Sequence, residues 1–194
     1  MAEFYTGVGS RVAPADILVH MHQFAYDLAR LGYTLRSGGA DGADTAFEEG
    51  TRMTGATCEI YLPWPGFNGS KSMLTHPTAQ AYGHARDVNL KRWGGLPQSH
   101  RKLFARNVHQ VLGPSLTQHS SFLLCWTPDG CVSAATRTPK TGGTATAILI
   151  AEKNDIPVFN FQRRGVLEAV SDMISKNALP KKKRDFFNFA TTSP

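Results

Sequence analysis

Hydrophobic residues along this chain fall into short continuous runs, most of them followed by a longer segment in which apolar residues recur every three or four positions. Five of the short runs predict strands, at residues 4–8, 33–36, 57–62, 121–126 and 156–161. The longer segments predict helices at residues 14–31, 41–53, 144–154 and 165–177. Two further helical patterns, at residues 77–93 and 98–112, follow the third strand and indicate a helical insertion near residues 77–112.

This order of elements predicts an α/β fold. Strands that alternate with helices favour a Rossmann-like parallel sheet, here of about five strands, with helices on both faces. We expect a single domain over residues 1–179, followed by a basic, phenylalanine-containing C-terminal tail at residues 180–194. Ligands of such sheets bind beyond the carboxyl ends of the strands. Two long loops, at residues 63–76 and 127–140, follow strands and are expected to cover that edge.

Three predicted turns are rich in glycine and lead, directly or after a loop, from a strand to a helix. They are Thr6-Gly7-Val8-Gly9-Ser10-Arg11, Ser37-Gly38-Gly39-Ala40-Asp41-Gly42 and Thr141-Gly142-Gly143-Thr144. The backbone N–H groups of such a turn and the dipole of the following helix attract an anion, most often a phosphate. One glycine turn means little, because glycine occupies any tight corner. Three in one domain predict a pocket for a nucleotide.

Two common nucleotide-binding motifs are absent from the chain. The first turn is not a dinucleotide-binding fingerprint, because Val12 stands where that pattern has its third glycine. No Gly-Lys pair precedes a serine or threonine at the spacing of a P-loop. The glycine turns therefore indicate a different kind of phosphate site.

The chain is basic, with a net charge of +6 and a sequence pI near 9.4. Half of that charge lies in the tail, where three lysines and one arginine at residues 181–184 precede Asp185. This run is either a solvated end, a nucleic-acid-binding segment or a segment resembling a nuclear-import signal. The following Phe186-Phe187-Asn188-Phe189 is expected to dock on the domain or on a second subunit, so we predict a homo-oligomer.

Several function classes find no support in the composition. Three cysteines are too few for a disulfide framework or a structural zinc site, and a reducing cytoplasm fits them. We find no apolar run of the roughly 20 residues that a membrane span needs and no secretory signal, so a cytoplasmic protein without a membrane partner is expected. The seven histidines lack the helical spacing of zinc hydrolases, and neither a metal nor a cofactor is predicted.

Together the three turns resemble those of the SLOG superfamily, which joins the DNA-processing protein A family to the LOG nucleotide hydrolases. The matching segments are Gly9-Ser10-Arg11 after the first strand, Ser37-Gly38-Gly39-Ala40-Asp41-Gly42-Ala43-Asp44, and Thr141-Gly142-Gly143-Thr144. The resemblance covers residues 4–161, with residues 77–112 as an insertion. It is closest to small bacteriophage and bacterial proteins that resemble DNA-processing protein A.

The resemblance implies a nucleotide or nucleotide-derived ligand and a set of residues around it. Gly7, Gly9, Ser10 and Arg11 would surround a phosphate or ribose, Ser37, Gly38, Gly39 and Asp41 would form the neighbouring wall, and Thr141, Gly142, Gly143 and Thr144 would hold a phosphate at a helix start. The pair Arg106-Asn107 resembles a motif of the bacteriophage subgroup. Lys102, Arg106 and His109 share one face of their predicted helix, which either runs over the pocket or is a solvated basic face.

The mechanism of the LOG hydrolases cannot be carried over to this chain, because it uses a glutamate in their late motif. At that position this chain has Leu149. Asp41 and Glu48 are the catalytic carboxylates we predict if an acid replaces it, and Asp44 and Asp129 are further candidates. Asp41 and Asp44 have an alternative role at the start of the second helix, as a cap or in its dipole.

Three functions follow as hypotheses. The chain binds a nucleotide or nucleotide derivative, or it is a nucleotide N-glycosidic hydrolase or transferase, or it is a single-stranded DNA-binding accessory to recombination. The aromatic residues Trp64 and Phe67 are the best candidates for stacking on a base, and Trp93 and Trp126 are expected in the core. Full-length DNA-processing proteins often carry extra helical domains, and no segment of this sequence is long enough to supply them, so recombinase loading is not expected.

Overall fold

The computed structural model describes residues 3–180. The basic, phenylalanine-containing segment at residues 181–194 lies outside the described residues, so the predictions that rest on it stay predictions. Five strands form one parallel sheet. They are β1 (Glu3–Gly9), β2 (Tyr33–Ser37), β3 (Cys58–Ile60), β4 (Phe122–Trp126) and β5 (Val158–Asn160). The prediction of an α/β fold with a five-stranded parallel sheet is confirmed.

The strand order is β3-β2-β1-β4-β5, so the chain first builds the sheet to one side of β1 and then to the other. Gly9 at the end of β1 pairs with Trp126 at the end of β4, where the direction of building reverses. Because parallel strands all end at the same edge, this reversal opens a crevice between the loops that follow β1 and β4. The fold therefore places the first and third glycine turns at the same crevice.

Helices cover both faces of the sheet. The seven α-helices of residues 3–180 are α1 (Ala15–Arg30), α2 (Ala43–Arg52), α3 (Ala79–Asp87), α4 (Leu90–Trp93), α5 (Gln98–Leu112), α6 (Ala145–Lys153) and α7 (Val166–Ser175). Helices α1, α2 and α7 bury one apolar cluster against the sheet, which includes Phe47 and Phe122. Helices α3, α5 and α6 bury a second cluster, which includes Phe104 and Ile148.

The inserted segment contains three helices where the pattern predicts two. The predicted helix at residues 77–93 is interrupted between α3 and α4, because the Asn89 side chain donates hydrogen bonds to the Ala85 carbonyl oxygen (2.9 Å) and to Thr146 Oγ1 (3.1 Å). An asparagine that bonds locally competes with the backbone pattern of a helix. This buried side chain fastens the break to α6, and the insertion is thereby anchored to the domain.

Candidate functional site

A cleft of about 760 Å³ lies beyond the carboxyl end of β1, between the sheet and the inserted helices. The loop after β1, the start of α2, the loop after β3, helices α4 and α5 and the third glycine turn all contribute to its walls. Of the predicted site residues, those that line it are Gly9, Ser10, Arg11, Arg106, Asn107, Thr141, Gly142, Gly143 and Thr144. The structure thus brings the first and third turns and the Arg106-Asn107 pair together.

Gly7 and Gly9 let α2 pack closely on β1. A Cβ on Gly7 would lie 2.7 Å from Phe47 Cγ, and one on Gly9 would lie 2.7 Å from the Cβ of Ala43. Gly7 is therefore buried beneath α2 and does not line the cleft, whereas Ser10 and Arg11 reach it.

The second glycine turn supports the cleft from below. Ser37 Oγ donates a hydrogen bond to the Gly7 carbonyl oxygen (2.7 Å), which joins the first two turns. Gly38 lies directly under Arg106, since a Cβ there would be 1.1 Å from Nη1 of the guanidinium. Gly39 adopts a positive φ of 62°. No side chain other than hydrogen fits at Gly38 while Arg106 stays in place.

The third turn presents an open backbone to the cleft. It lies in a 3-10 segment, Pro139–Thr144, that runs directly into α6, and Gly142 adopts a φ of 64° there with no atom within 4 Å of where a Cβ would be. Asn107 Nδ2 donates a hydrogen bond to the Gly143 carbonyl oxygen (3.0 Å), which ties the turn to α5. An open turn at the start of a nine-residue helix is a position that attracts anions.

Asp129 fixes the approach to that turn. Its Oδ2 accepts hydrogen bonds from the Thr138 backbone N–H (3.2 Å), Thr138 Oγ1 (2.6 Å) and Thr141 Oγ1. Burial raises the pKa of the Asp129 carboxyl, but hydrogen bonds from Thr138, Thr141 and Thr127 outweigh it and hold the pKa well below its usual value. Asp129 is therefore a carboxylate with a structural task and does not line the cleft.

Asp44 and Arg106 form the cleft floor. Arg106 Nη1 lies 3.4 Å from Asp44 Oδ2, and both side chains are about 95% buried. In the amide orientation that satisfies its polar atoms, Gln110 accepts from Arg106 Nη1 (3.1 Å) and from the Gly38 N–H (2.8 Å) and donates to Asn107 Oδ1 (2.9 Å). The floor is thus a polar network that links α2, the second turn and α5.

Burial dominates the ionisation of this pair. Burial raises the pKa of Asp44, and the neighbouring Arg106 and the Ala40 N–H offset only part of that rise. Burial also lowers the pKa of Arg106, and Asp44 offsets only part of that fall. Nε of Arg106 is buried and has no hydrogen-bond partner within residues 3–180. A buried guanidinium with an unpaired donor at a cleft is able to bind an anionic or carbonyl oxygen.

The two predicted catalytic carboxylates, Asp41 and Glu48, do not line the cleft. Asp41 is exposed and accepts a hydrogen bond from Asn68 Nδ2 (2.7 Å). Glu48 pairs with Arg52 at 2.6 Å and lines a second pocket of about 680 Å³ between α2, β3 and the following loop. The pKa of Glu48 lies above its usual value, because burial raises it by more than the nearby Arg52 lowers it. The acid that the structure places in the cleft is Asp44.

The loop after β3 carries two aromatic rings to the cleft. Trp64 and Phe67 both line it, with ring centres 5.2 Å apart and planes at 87°. The Arg106 guanidinium carbon lies 5.8 Å from the centre of the Phe67 ring. Trp126, expected in the core, is buried there, whereas Trp93 is only half-buried and lines a groove on the insertion.

The cleft is strongly cationic. Three arginines and one lysine line it, Arg11, Arg92, Arg106 and Lys140, against the single carboxylate of Asp44. The second pocket, of similar size, is lined by two acidic and two basic side chains. The sequence analysis did not predict Arg92, Lys140 or Gln110 as site residues. The signal that could have found Arg92 is the concentration of charge in the insertion, which is net +5 over residues 77–112 while the rest of residues 1–180 is net −2.

The predicted polar face of α5 is not solvated at two of its three positions. Arg106 and His109 are buried and Lys102 is half-buried, so the alternative of an open basic face is wrong for this helix. His109 stacks on Tyr61, with ring centres 5.7 Å apart, and fastens the loop before α3 to α5. Arg106, alone of the three, lines the cleft.

Comparison of the chain with protein-family models, with curated proteins and with solved structures gave no match. Within the described range, residues 3–180, no helix combines the length and the apolar character of a membrane span. The same range contains no group of three or more histidine, cysteine or acidic side chains placed to hold a metal ion.

Proposed function

We propose that the protein binds a nucleotide or nucleotide-derived ligand in the cleft, with a phosphate at the third glycine turn. The observation that carries this proposal is the juxtaposition of the open turn at Gly142 and Gly143 with Arg11 and with the buried Arg106, whose Nε has no partner among the described residues. Backbone N–H groups and guanidinium groups are the donors that phosphates prefer. Trp64 and Phe67 offer apolar rings for the base or sugar.

Binding fits this cleft better than cleavage. A nucleotide N-glycosidic hydrolase or transferase needs a free carboxylate at the ligand, and neither Asp41 nor Glu48 lines the cleft. Asp44 does, but its carboxylate is already paired with Arg106. A carboxylate whose pKa is raised by burial suits general acid chemistry, so cleavage of the ligand stays an outcome of the experiment below.

Mass spectrometry of small molecules released from the denatured protein, followed by incubation with a nucleotide panel, tests the proposal. A retained nucleotide, or saturable binding of one, supports it, and release of free base would identify a hydrolase. Arg11→Ala and Gly143→Asp should each abolish binding while thermal unfolding stays cooperative, because they remove a phosphate donor and fill the turn. Lys153→Ala, an exposed change at the far end of α6, is the matched control. Unchanged affinity in both cleft variants would refute the assignment.

A second candidate function, single-stranded DNA binding, rests on the insertion. A groove of about 510 Å³ there is lined by Tyr82, Trp93, Arg86 and Arg101, and the Arg101 guanidinium carbon lies 5.8 Å from the centre of the Trp93 ring. Aromatic rings beside cations are what sequence-tolerant binding of single strands uses.

Salt dependence of oligonucleotide binding tests this candidate. The slope of log affinity against log salt is negative, and each lost phosphate contact reduces its magnitude by about 0.7 for single strands. Arg86→Gln and Arg101→Gln should each do so if the groove binds DNA. Deletion of residues 180–194 shows whether the tail, and not the domain, is responsible.

A further inference from the structure

The charge of the cleft exceeds what a nucleoside monophosphate balances. Arg106 is paired with Asp44, which leaves Arg11, Arg92 and Lys140 without an ion pair among the described residues. A phosphate monoester carries about −1.5 to −2 at pH 7. A ligand with one phosphate therefore leaves at least one of these three cations uncompensated, whereas a diphosphate, with about one further negative charge, balances them.

The positions of these cations bring a second anion site close to the first. The Arg92 guanidinium carbon lies 4.7 Å from the centre of the Phe104 ring. The same ring flanks the third turn, since a Cβ on Gly143 would lie 3.9 Å from Phe104 Cε1. Arg92 and Gly143 therefore approach the same aromatic ring and line the same cleft, so one ligand with linked phosphates is able to reach both.

Arg92 is also held in a setting that favours an anion. It is supplied by α4 of the insertion and lines the cleft, and its partial burial and the neighbouring Arg137 both lower its pKa. A guanidinium next to another cation, with no carboxylate beside it, gains stability when an anion binds. Lys91, the preceding residue, is exposed as Arg92 is, but it lines neither the cleft nor the insertion groove.

We propose that the ligand of the cleft is a nucleoside diphosphate or a nucleotide with a longer phosphate chain, with one phosphate at the Gly142–Gly143 turn beside Lys140 and the next at Arg92. This inference rests on the proposed nucleotide site and names its ligand class. In it Arg92 is the residue that distinguishes diphosphates from monophosphates, and the insertion is the part of the chain that brings that selectivity to the cleft.

Calorimetric titration with nucleoside mono- and diphosphates of the four common bases, and with inorganic phosphate and pyrophosphate, tests this inference on the full chain. The protein should bind a diphosphate at least about tenfold more tightly than the matching monophosphate, the effect of one charge-assisted hydrogen bond. Arg92→Gln should remove most of that preference by weakening the diphosphate. Lys91→Gln, the same chemical change at the neighbouring residue, should keep it.

The outcomes separate the ligand class from the site itself. Equal affinity for mono- and diphosphates, or a preference that survives Arg92→Gln, would overturn the diphosphate proposal while leaving nucleotide binding intact. A loss in Lys91→Gln as large as in Arg92→Gln would overturn it too, because the effect would then be general charge. If neither the nucleotides nor pyrophosphate bind, and no nucleotide is released on denaturation, both this inference and the proposed function fall.

Discussion

Asp44 and Arg106 lie 62 residues apart in the chain and meet at the floor of the cleft, with Oδ2 of the carboxylate 3.4 Å from Nη1 of the guanidinium. The pair joins α2, which packs on the sheet, to α5, which belongs to the insertion. Both side chains are about 95% buried, so each neutralises a charge that would otherwise be costly to hold there. The same two residues thus form the cleft floor and link the insertion to α2.

Removing one member of this pair should destabilise the fold. We expect Asp44→Asn and Arg106→Gln each to lower the free energy of unfolding by about 3 kcal/mol, since each leaves a buried charge uncompensated. The double variant should lose clearly less than the sum, because neither charge then remains. Urea denaturation of the four proteins measures this coupling. Additive losses would show that the two groups do not interact.

A side chain at Gly38 should disturb the same floor. Gly38→Ala places a Cβ 1.1 Å from Arg106 Nη1, so the buried guanidinium must move away from Asp44, and we expect a loss of about 2 kcal/mol in stability. Gly83→Ala is the control, because it lies within α3 with no atom within 4 Å of the new Cβ and should be stabilising by up to about 1 kcal/mol. Equal thermal midpoints for the two variants would contradict this account.

The fold was predictable because buried strands and amphipathic helices differ in the spacing of their apolar residues along the sequence. The glycine turns were also predictable as turns, since each follows a strand directly or after a loop. Their roles were not, because they depend on which side chain packs above each glycine. Gly7 lies under Phe47 and Gly38 under Arg106, contacts between residues 40 and 68 positions apart that no local pattern encodes.

The sequence also did not tell which carboxylate lies in the cleft. Asp41, Asp44 and Glu48 lie within one short segment, and their spacing alone does not tell which one faces the cleft. The start of α2 at Ala43 turns Asp44 inward, towards Arg106, and leaves Asp41 exposed beside Asn68. Arg92 and Lys140 come from the insertion and from the second long loop, whose docking is a tertiary property. Their place in the cleft could not be read from the sequence.

Asp129 should stabilise the third turn only while it is ionised. We expect Asp129→Asn to lower stability by about 1–2 kcal/mol at pH 7, because the amide is a weaker acceptor for Thr138 and Thr141. The lowered pKa of Asp129 means that its contribution is present above about pH 4 and is lost as pH falls further. The difference between the two proteins should therefore shrink in acid.

Hydrogen exchange of residues 138–144 locates the effect. Faster exchange there in Asp129→Asn, with unchanged exchange in β5, is the expected result. Asp172→Asn, which alters an exposed pair with Lys176, is the matched control and should leave the turn unchanged. A difference between the proteins that is as large at pH 3 as at pH 7 would show that the charge of Asp129 plays no part.

His109 should make stability depend on pH between neutrality and pH 5. The Thr78 backbone N–H donates to Nε2 (3.2 Å), so the proton of the neutral ring is on Nδ1, which donates to the Gly113 carbonyl oxygen (3.0 Å). Protonation places a second hydrogen on Nε2, facing the Thr78 N–H, next to Arg106 and under the stacked Tyr61 ring. His76, from the loop before α3, lines the same small pocket.

Burial lowers the pKa of His109, although its bond to Gly113 raises it, so the unfolded chain binds the proton more readily than the folded one. Stability should therefore fall as pH drops below about 6.5, by at most about 1.4 kcal/mol per pH unit for this one proton. Urea denaturation at pH 7, 6 and 5 measures it. His109→Gln should lose this part of the dependence, and His100→Gln, an exposed histidine of the same helix, should retain it. If the two variants show the same pH dependence, the buried ring is not the group that titrates.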